Sequence, residues 1–243
     1  MMIEEAKRVL ALEAKAIEAV KDRLDGAFDD AVQAILHCEG RVIVMGMGKP
    51  GFIAGKLAAT MASTGTPSFA LHPADATHGD LGMITKNDVI LAISNSGETP
   101  EIVNILETIK KIGAQLICMT GNLKSSLARH SDICLDVSVE QEACPMNLAP
   151  TTSTTAALAL GDALAVVLIQ QRGFKPEDFA FLHPGGSLGK KLLKVEEIMR
   201  TGDQMPCLNQ KASVHDALLA ITEARAGCCI VTGPEETLVG IFT

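Results

Sequence analysis

The chain has 243 residues and a formal net charge of −8, with 47% hydrophobic but only 3% aromatic residues and neither Trp nor Tyr. Its length permits one large domain, or a domain plus a fragment, around an aliphatic core. The acidic balance and the scarcity of stacking rings argue against nucleic acid and anionic membrane as partners. The seven cysteines form no C-x-x-C pair and fit free thiols in a reducing cytoplasm, the expected location. The charged start Met1–Arg8 shows no apolar leader core.

In chain order, Ile3, Ala6, Val9, Leu10, Ala14, Ile17, Val20 and Leu24 recur at three- and four-residue steps, predicting a helix that breaks at Asp25-Gly26 and resumes to about residue 37. No strand precedes it, so it can lie on its own domain or wrap another subunit. Arg41–Gly46 predicts a strand, then the turn Met47-Gly48-Lys49-Pro50-Gly51 and a helix from about Phe52 to Ser63; the glycine spacing fits neither nucleotide-loop pattern. Thr66–Leu71 predicts a second strand, and residues 72–82 a loop with a short helical turn.

The unbroken apolar run Val89–Ile93 reads as a strand buried on both faces. After it come Ser94, Asn95, Ser96, Gly97, Glu98 and Thr99. Two serine hydroxyls, a glycine that lets amides approach a ligand, and Thr99-Pro100 suited to start a helix running to about Ile112 together predict a phosphate cradle. Further strands are expected at Gln115–Thr120 and Ile133–Asp136, and a helix from Pro150 to about Gln171 capped by the Thr151–Thr155 run. The apolar stretch Ala156–Ile169 of that helix is shorter than the ~20 residues of a bilayer span. The alternation predicts an α/β fold, a three-layer doubly wound parallel sheet preceded by helices, with its ligand beyond the strand C-termini. After His183-Pro-Gly-Gly-Ser-Leu-Gly189 the chain turns basic (Lys190, Lys191, Lys194), and a second unit is expected over residues 194–243, following a first over 1–193.

Ser94-Asn-Ser-Gly-Glu-Thr99 resembles the signature of the sugar isomerase (SIS) fold. With Gly46-Met-Gly-Lys49, Ser63–Ser68, His72-Pro, Thr77–Gly82, Pro150–Thr155 and His183–Gly189 in this order, the chain resembles the arabinose-5-phosphate isomerase family, an SIS domain followed by two CBS domains. Glu197-Ile-Met199, a helix at Val214–Ala224 and strands at Cys228–Thr232 and Leu238–Phe242 are similar to the first part of a CBS domain; the pattern stops inside the first of a pair, which reads as a truncation. The resemblance implies interconversion of D-ribulose 5-phosphate and D-arabinose 5-phosphate for Kdo (3-deoxy-D-manno-octulosonate) synthesis. It also implies catalytic Lys49, Glu101, Glu142 and His183, a phosphate site at Ser94, Ser96 and Thr99, and a homotetramer with active sites shared between subunits. A nucleotide-sugar effector from later in the pathway is left open. Pro50 departs from the family's usual Ser in Gly-Lys-Ser-Gly.

The chemistry asks for the same groups. Isomerisation must open a ring, remove a proton from carbon beside a carbonyl, and stabilise an enediolate. His183 suits ring opening. Glu142, in an apolar loop, is expected to have its pKa raised by burial and to act as base, with Glu101 as second candidate. Lys49 can neutralise the enediolate or phosphate. Substrate contacts are expected from Gly48, His78, Ser94, Asn95, Ser96, Gly97, Thr99 and Thr151. Each group also has a plain structural alternative: a surface charge for Lys49, the first-turn preference for acids at Glu101, a solvated loop for Glu142, a turn for His183. His72, His78 and His183 follow no zinc spacing, and the scheme requires neither metal nor cofactor. The rivals are a non-enzymatic phosphosugar sensor, which lacks a basic recognition helix here, and an isomerase of another ketose phosphate.

Overall fold

Short apolar runs become the strands of one parallel sheet: β1 (Val42–Gly46), β2 (Ser68–Ala70), β3 (Val89–Ile93), β4 (Gln115–Thr120) and β5 (Ile133–Asp136), in the order β2-β1-β3-β4-β5. β1 and β3 are central and buried along their whole length, as expected of strands covered on both faces. The computed structural model describes residues 1–183 and 194–243, and the chain divides into two units, Met1–Gly189 and Lys190–Thr243. The Pro184–Gly189 part of the glycine-rich motif, Lys190, Lys191 and the expected boundary at 193 lie outside the described residues.

Alternate strand residues feed two separate cores, making three layers. Val42, Val44, Leu91, Ile93, Ile117 and Met119 pack with α1 (Met2–Asp22), α2 (Gly26–Leu36), α3 (Lys49–Ser63) and α8 (Thr152–Arg172). Ile43, Met45, Ile90, Ala92, Leu116 and Cys118 pack with α4 (Pro73–Thr77), α5 (Pro100–Val103), α6 (Leu106–Ile112) and α7 (Ser126–His130). The strand order reverses between β1 and β3, so the loops after these strands flank a topological switch point, where such sheets bind ligands. One more helix, α9 (Pro176–Leu182), follows.

Several boundaries differ from expectation. β2 is shorter than Thr66–Leu71, because Thr66 is held by the Arg172 guanidinium and Leu71 lies beyond the last paired residue. α3 begins at Lys49 rather than Phe52: Pro50 fits the first helical turn. The helix after Thr99 is not continuous to Ile112 but breaks at Asn104-Ile105 into α5 and α6. α8 reaches 21 residues and is long and apolar enough by composition to cross a bilayer, but half of its apolar window is buried in this unit. Burial, not shortness, marks it as a core helix.

The second unit, taken by itself, holds a three-stranded sheet. β6 (Cys207–Asn209), which the sequence reading missed, pairs parallel with β7 (Cys229–Thr232), and β7 pairs antiparallel with β8 (Leu238–Phe242). The helix Val214–Glu223 between β6 and β7 is held by a capping box of Ser213 and Asp216.

Candidate active site

The loop after β3 is shaped mainly by its own side chains. The Ser94 hydroxyl accepts from the Gly97 amide at 3.0 Å and lies 2.8 Å from Thr99 Oγ1. Ser96 Oγ accepts from the Glu98 amide, and the Glu98 carboxylate accepts from the Ser126 amide at the start of α7. Gly97 has a φ of +65°, and a Cβ there would collide with the Ser125 side chain; no other residue type fits both demands.

These bonds show which groups hold the turn. The hydroxyls of Ser94 and Thr99 are engaged in holding the turn, whereas the backbone amides of Asn95, Ser96 and Thr99 have no acceptor among the described residues. The acceptor-free groups of this loop are its amides. The one-turn α5 adds little, since a macrodipole needs a continuous helix behind it.

Glu142 arrives from the far side of the same opening. Its Oε2 accepts from the Thr151 amide at 2.8 Å, the Ser153 amide at 3.2 Å and Thr151 Oγ1 at 3.0 Å, while Ser153 Oγ donates to Oε1. The expected cap from the Thr151–Thr155 hydroxyls is thus replaced by a carboxylate supplied from outside the helix, an arrangement the dipole of α8 favours. Burial pushes the Glu142 carboxyl up, but these hydrogen bonds outweigh it and hold the pKa below the ordinary carboxylate value. The expectation of a raised pKa fails because the loop is apolar in sequence but delivers the carboxylate to a helix N-terminus.

The two loops share a cavity of about 410 Å³ whose lining includes Ser94, Asn95, Ser96, Thr99, Glu142 and Ser153, together with Met47, Pro50 and Asn147. A larger space of about 610 Å³ lies at the opposite, N-terminal edge of the strands, beside His37 and Asp88. Of the expected residues, Lys49 and Gly48 fall next to lining Pro50 but outside the lining itself, as do Gly97, Glu101 and Thr151. Lys49 is exposed on the first turn of α3. Gly46 and Gly51 bring that turn close, since a Cβ on Gly46 would lie 2.6 Å from the Pro50 carbonyl oxygen.

His78 is exposed at the end of α4 and His183 sits at the end of α9; neither lines the cavity. The His183 ring stacks on Phe179 at 3.8 Å, and its Nδ1 donates to the Phe179 carbonyl, so that Nε2 is the nitrogen not used in that bond. Among the described residues no group of three or more His, Cys, Asp or Glu is arranged to hold a metal ion. Ser153 and Asn147, which the sequence reading did not single out, do face this site. Ser153 lay in plain view in the Thr151–Thr155 run; Asn147, which accepts from the Glu142 amide at 2.7 Å, carried no signal.

The SIS domain family matches residues 35–167. The chain is 52% identical to arabinose 5-phosphate isomerase KdsD of Pseudomonas aeruginosa over 99% of its own length and 74% of that protein's. The chain belongs to the SIS-domain arabinose-5-phosphate isomerase family. Within that family it is also 50% identical to KdsD of Escherichia coli K12, over 98% of this chain and 73% of that one. Among solved structures, E. coli CFT073 c3406 in complex with arabinose 5-phosphate superposes with a TM-score of 0.73 at 45% identity, covering 75% of this chain and 97% of that one.

Proposed function

We infer that the protein is an arabinose-5-phosphate isomerase that interconverts D-ribulose 5-phosphate and D-arabinose 5-phosphate in the supply of Kdo for lipopolysaccharide or capsule. The observation that carries this reading is the cavity in which acceptor-free amides at the tip of β3 face the Glu142 carboxylate. In the proposed arrangement the amides of Asn95, Ser96 and Thr99 hold the sugar phosphate. Glu142 takes the proton from C2 of the aldose and returns it to C1, as the carbonyl oxygen at C1 gains a proton and the hydroxyl at C2 loses one. A carboxylate held ionised is always ready to accept, but it is a weak base. The enediolate must therefore be stabilised, and Lys49, beside the lining residue Pro50, is the cation assigned to do so. His183 opens the ring, and Glu101 is the alternative base.

The direct test is incubation with ribulose 5-phosphate in the presence of a chelator, following aldopentose formation, with fructose and sedoheptulose phosphates alongside. Turnover of ribulose 5-phosphate is expected. Turnover of another ketose alone would reassign the substrate, and none at all would favour a sensor.

We propose a homotetramer in which a neighbouring subunit's His183 and His78 complete the site. In support, Ile3, Leu10 and Ile17 form a seven-residue row along the outward side of α1, Leu24 follows just beyond its end, and all four are exposed. Mixing the inactive variants Glu142→Gln and His183→Asn is expected to restore activity, and no restoration would mean that each subunit holds its own site. Cytoplasmic location, and a nucleotide sugar that alters KM when added to the assay, belong to the same proposal. Residues 194–243 are proposed as a partial CBS domain on the strength of the β6-helix-β7-β8 order and the exposed apolar Leu218, Leu219, Val239 and Ile241.

A further inference from the structure

The segment from Asp136 to Ala143, which leads β5 into Glu142, is tied along α1 by three basic side chains. Arg8, Lys15 and Arg23 stand seven and eight residues apart, two helical turns each, and so share one face. Arg23 Nη2 donates to the Ser138 carbonyl at 2.6 Å, and its Nε lies 3.1 Å from the Asp136 carboxylate. Lys15 Nζ meets Glu140 at 2.9 Å. Arg8 Nη2 donates to the Ala143 carbonyl at 2.8 Å, while Nε and Nη2 also hold the Glu5 carboxylate.

Between these ties the segment is not packed down on the helix. A cavity of about 370 Å³ separates them, lined by Leu12, Ala16 and Ala19 on one side and Val139 and Gln141 on the other, with Thr152 at its end. The segment is buried at Val137 and at Ala143, and where it bridges this void it takes its position from its anchors. The three anchors are unequal, because Lys15 and Glu140 are both largely exposed and such a pair contributes little. Arg8 differs. It grips the residue adjoining Glu142, and the same residue's amide is held from the other side by Thr151 Oγ1 at 2.9 Å. Glu5, one turn back on α1, braces the guanidinium in that geometry.

We propose that Arg8 is a positioning residue for the isomerisation: by fixing the Ala143 carbonyl it keeps the Glu142 carboxylate on the α8 N-terminus and facing the cavity, with Arg23 and Lys15 as secondary ties. The inference rests on the reading of Glu142 as the base. It makes α1, remote from the phosphate loop in sequence, part of the catalytic apparatus.

The test uses the full chain with Arg8→Met, Arg8→Lys and the control Lys7→Met, whose parent side chain meets only Glu4 on the exposed side. Ribulose 5-phosphate kinetics are measured across pH, together with hydrogen exchange over residues 136–153. Arg8→Met is expected to lower kcat by about ten- to a hundredfold, the scale of a small misplacement of a reacting group, with KM within about twofold. The acid limb of its kcat profile should move to higher pH, because a loosened Glu142 loses amide donors. Arg8→Lys should recover part of the loss, Lys7→Met should behave as the parent, and exchange over 142–153 should speed up only in the Arg8 variants. In a Glu142→Gln background, Arg8→Met should cost nothing more.

An unchanged kcat in Arg8→Met, or an undiminished loss in the Glu142→Gln background, would overturn the proposal. If Glu142→Gln alone stays active, the base assignment fails, and the exchange rates alone then decide whether the tie exists: faster exchange sustains it, unchanged exchange rejects it. Should Arg8→Met not fold, Glu5→Gln removes only the brace and is expected to lower kcat by about two- to fivefold in the same direction; no change would reject the proposal.

Discussion

The two edges of the parallel sheet both open into polar cavities, and they differ in what their backbone amides do. At the N-terminal edge Asp88 accepts from the Arg41 amide at 2.7 Å, the Thr85 amide at 2.6 Å and Thr85 Oγ1 at 2.9 Å, and the Gly40 amide is taken by the Asn87 carbonyl. There the carboxylate and the neighbouring amides close on one another, and what lines the cavity beyond them is side chains such as Lys86 and Gln115. At the C-terminal edge the hydroxyls of Ser94 and Thr99 bond each other, Ser94 also accepts from the Gly97 amide, and three further amides are left without an acceptor among the described residues. The larger cavity is therefore the less informative. Unpaired donors at a strand tip, not volume, mark where an anion belongs.

The strongest way to break this contrast is to remove the carboxylate that faces those amides. Glu142→Gln is expected to lower kcat by about 10²–10⁴-fold, the usual contribution of a general base, with KM little changed; full activity would transfer the role to Glu101. Gly97→Ala should come next. A left-handed residue bearing a Cβ costs about 1–2 kcal/mol before the contact with Ser125 is counted, so both a lower Tm and a raised KM for ribulose 5-phosphate are expected. A raised KM without loss of stability would show that the amide geometry alone had shifted.

The matching substitution at the other edge is Asp88→Asn. Unmatched donors should destabilise the fold by about 1–3 kcal/mol, measured by chemical denaturation, while kcat and KM stay within about twofold. A large kinetic effect would refute the division between the two edges.

Asp88 and Glu142 also predict a shared response to acid. In each, burial raises the pKa but hydrogen bonds outweigh it, leaving the folded value depressed. The stability they confer is present above the ordinary carboxylate pKa of about 4 and is lost as pH falls through the depressed folded value. Melting curves for Asp88→Asn should accordingly be flatter in acid than those of the parent.

The smallest effect concerns thiols. Burial pushes Cys118 up to about 12, whereas the amides of Ala149, Leu148, Met146 and Asn147 hold Cys144 below its usual value. Brief alkylation followed by mass spectrometry should therefore mark Cys144 and spare Cys118.

Much of this protein was legible in its residues alone. Five apolar strand cores, the helix start at Pro100, the break at Asp25-Gly26 and the ordered motifs all depend on neighbours within a few positions, where periodicity and turn chemistry act. What the chain could not disclose was which hydrogen-bonding groups would be used up. Ser94 and Ser96, expected on the phosphate, also accept from the Gly97 and Glu98 amides and so brace their own loop. Glu142 looked like a carboxyl in an apolar loop and became the cap of α8, which reversed the direction of its pKa. Arg8, noted only as part of a charged start, holds the Ala143 carbonyl, 135 residues away. Each donor or acceptor has several partners within reach of its type, and only the packing of distant segments decides which one it meets, so the kinds of chemistry were written locally and their assignment was made by the tertiary fold.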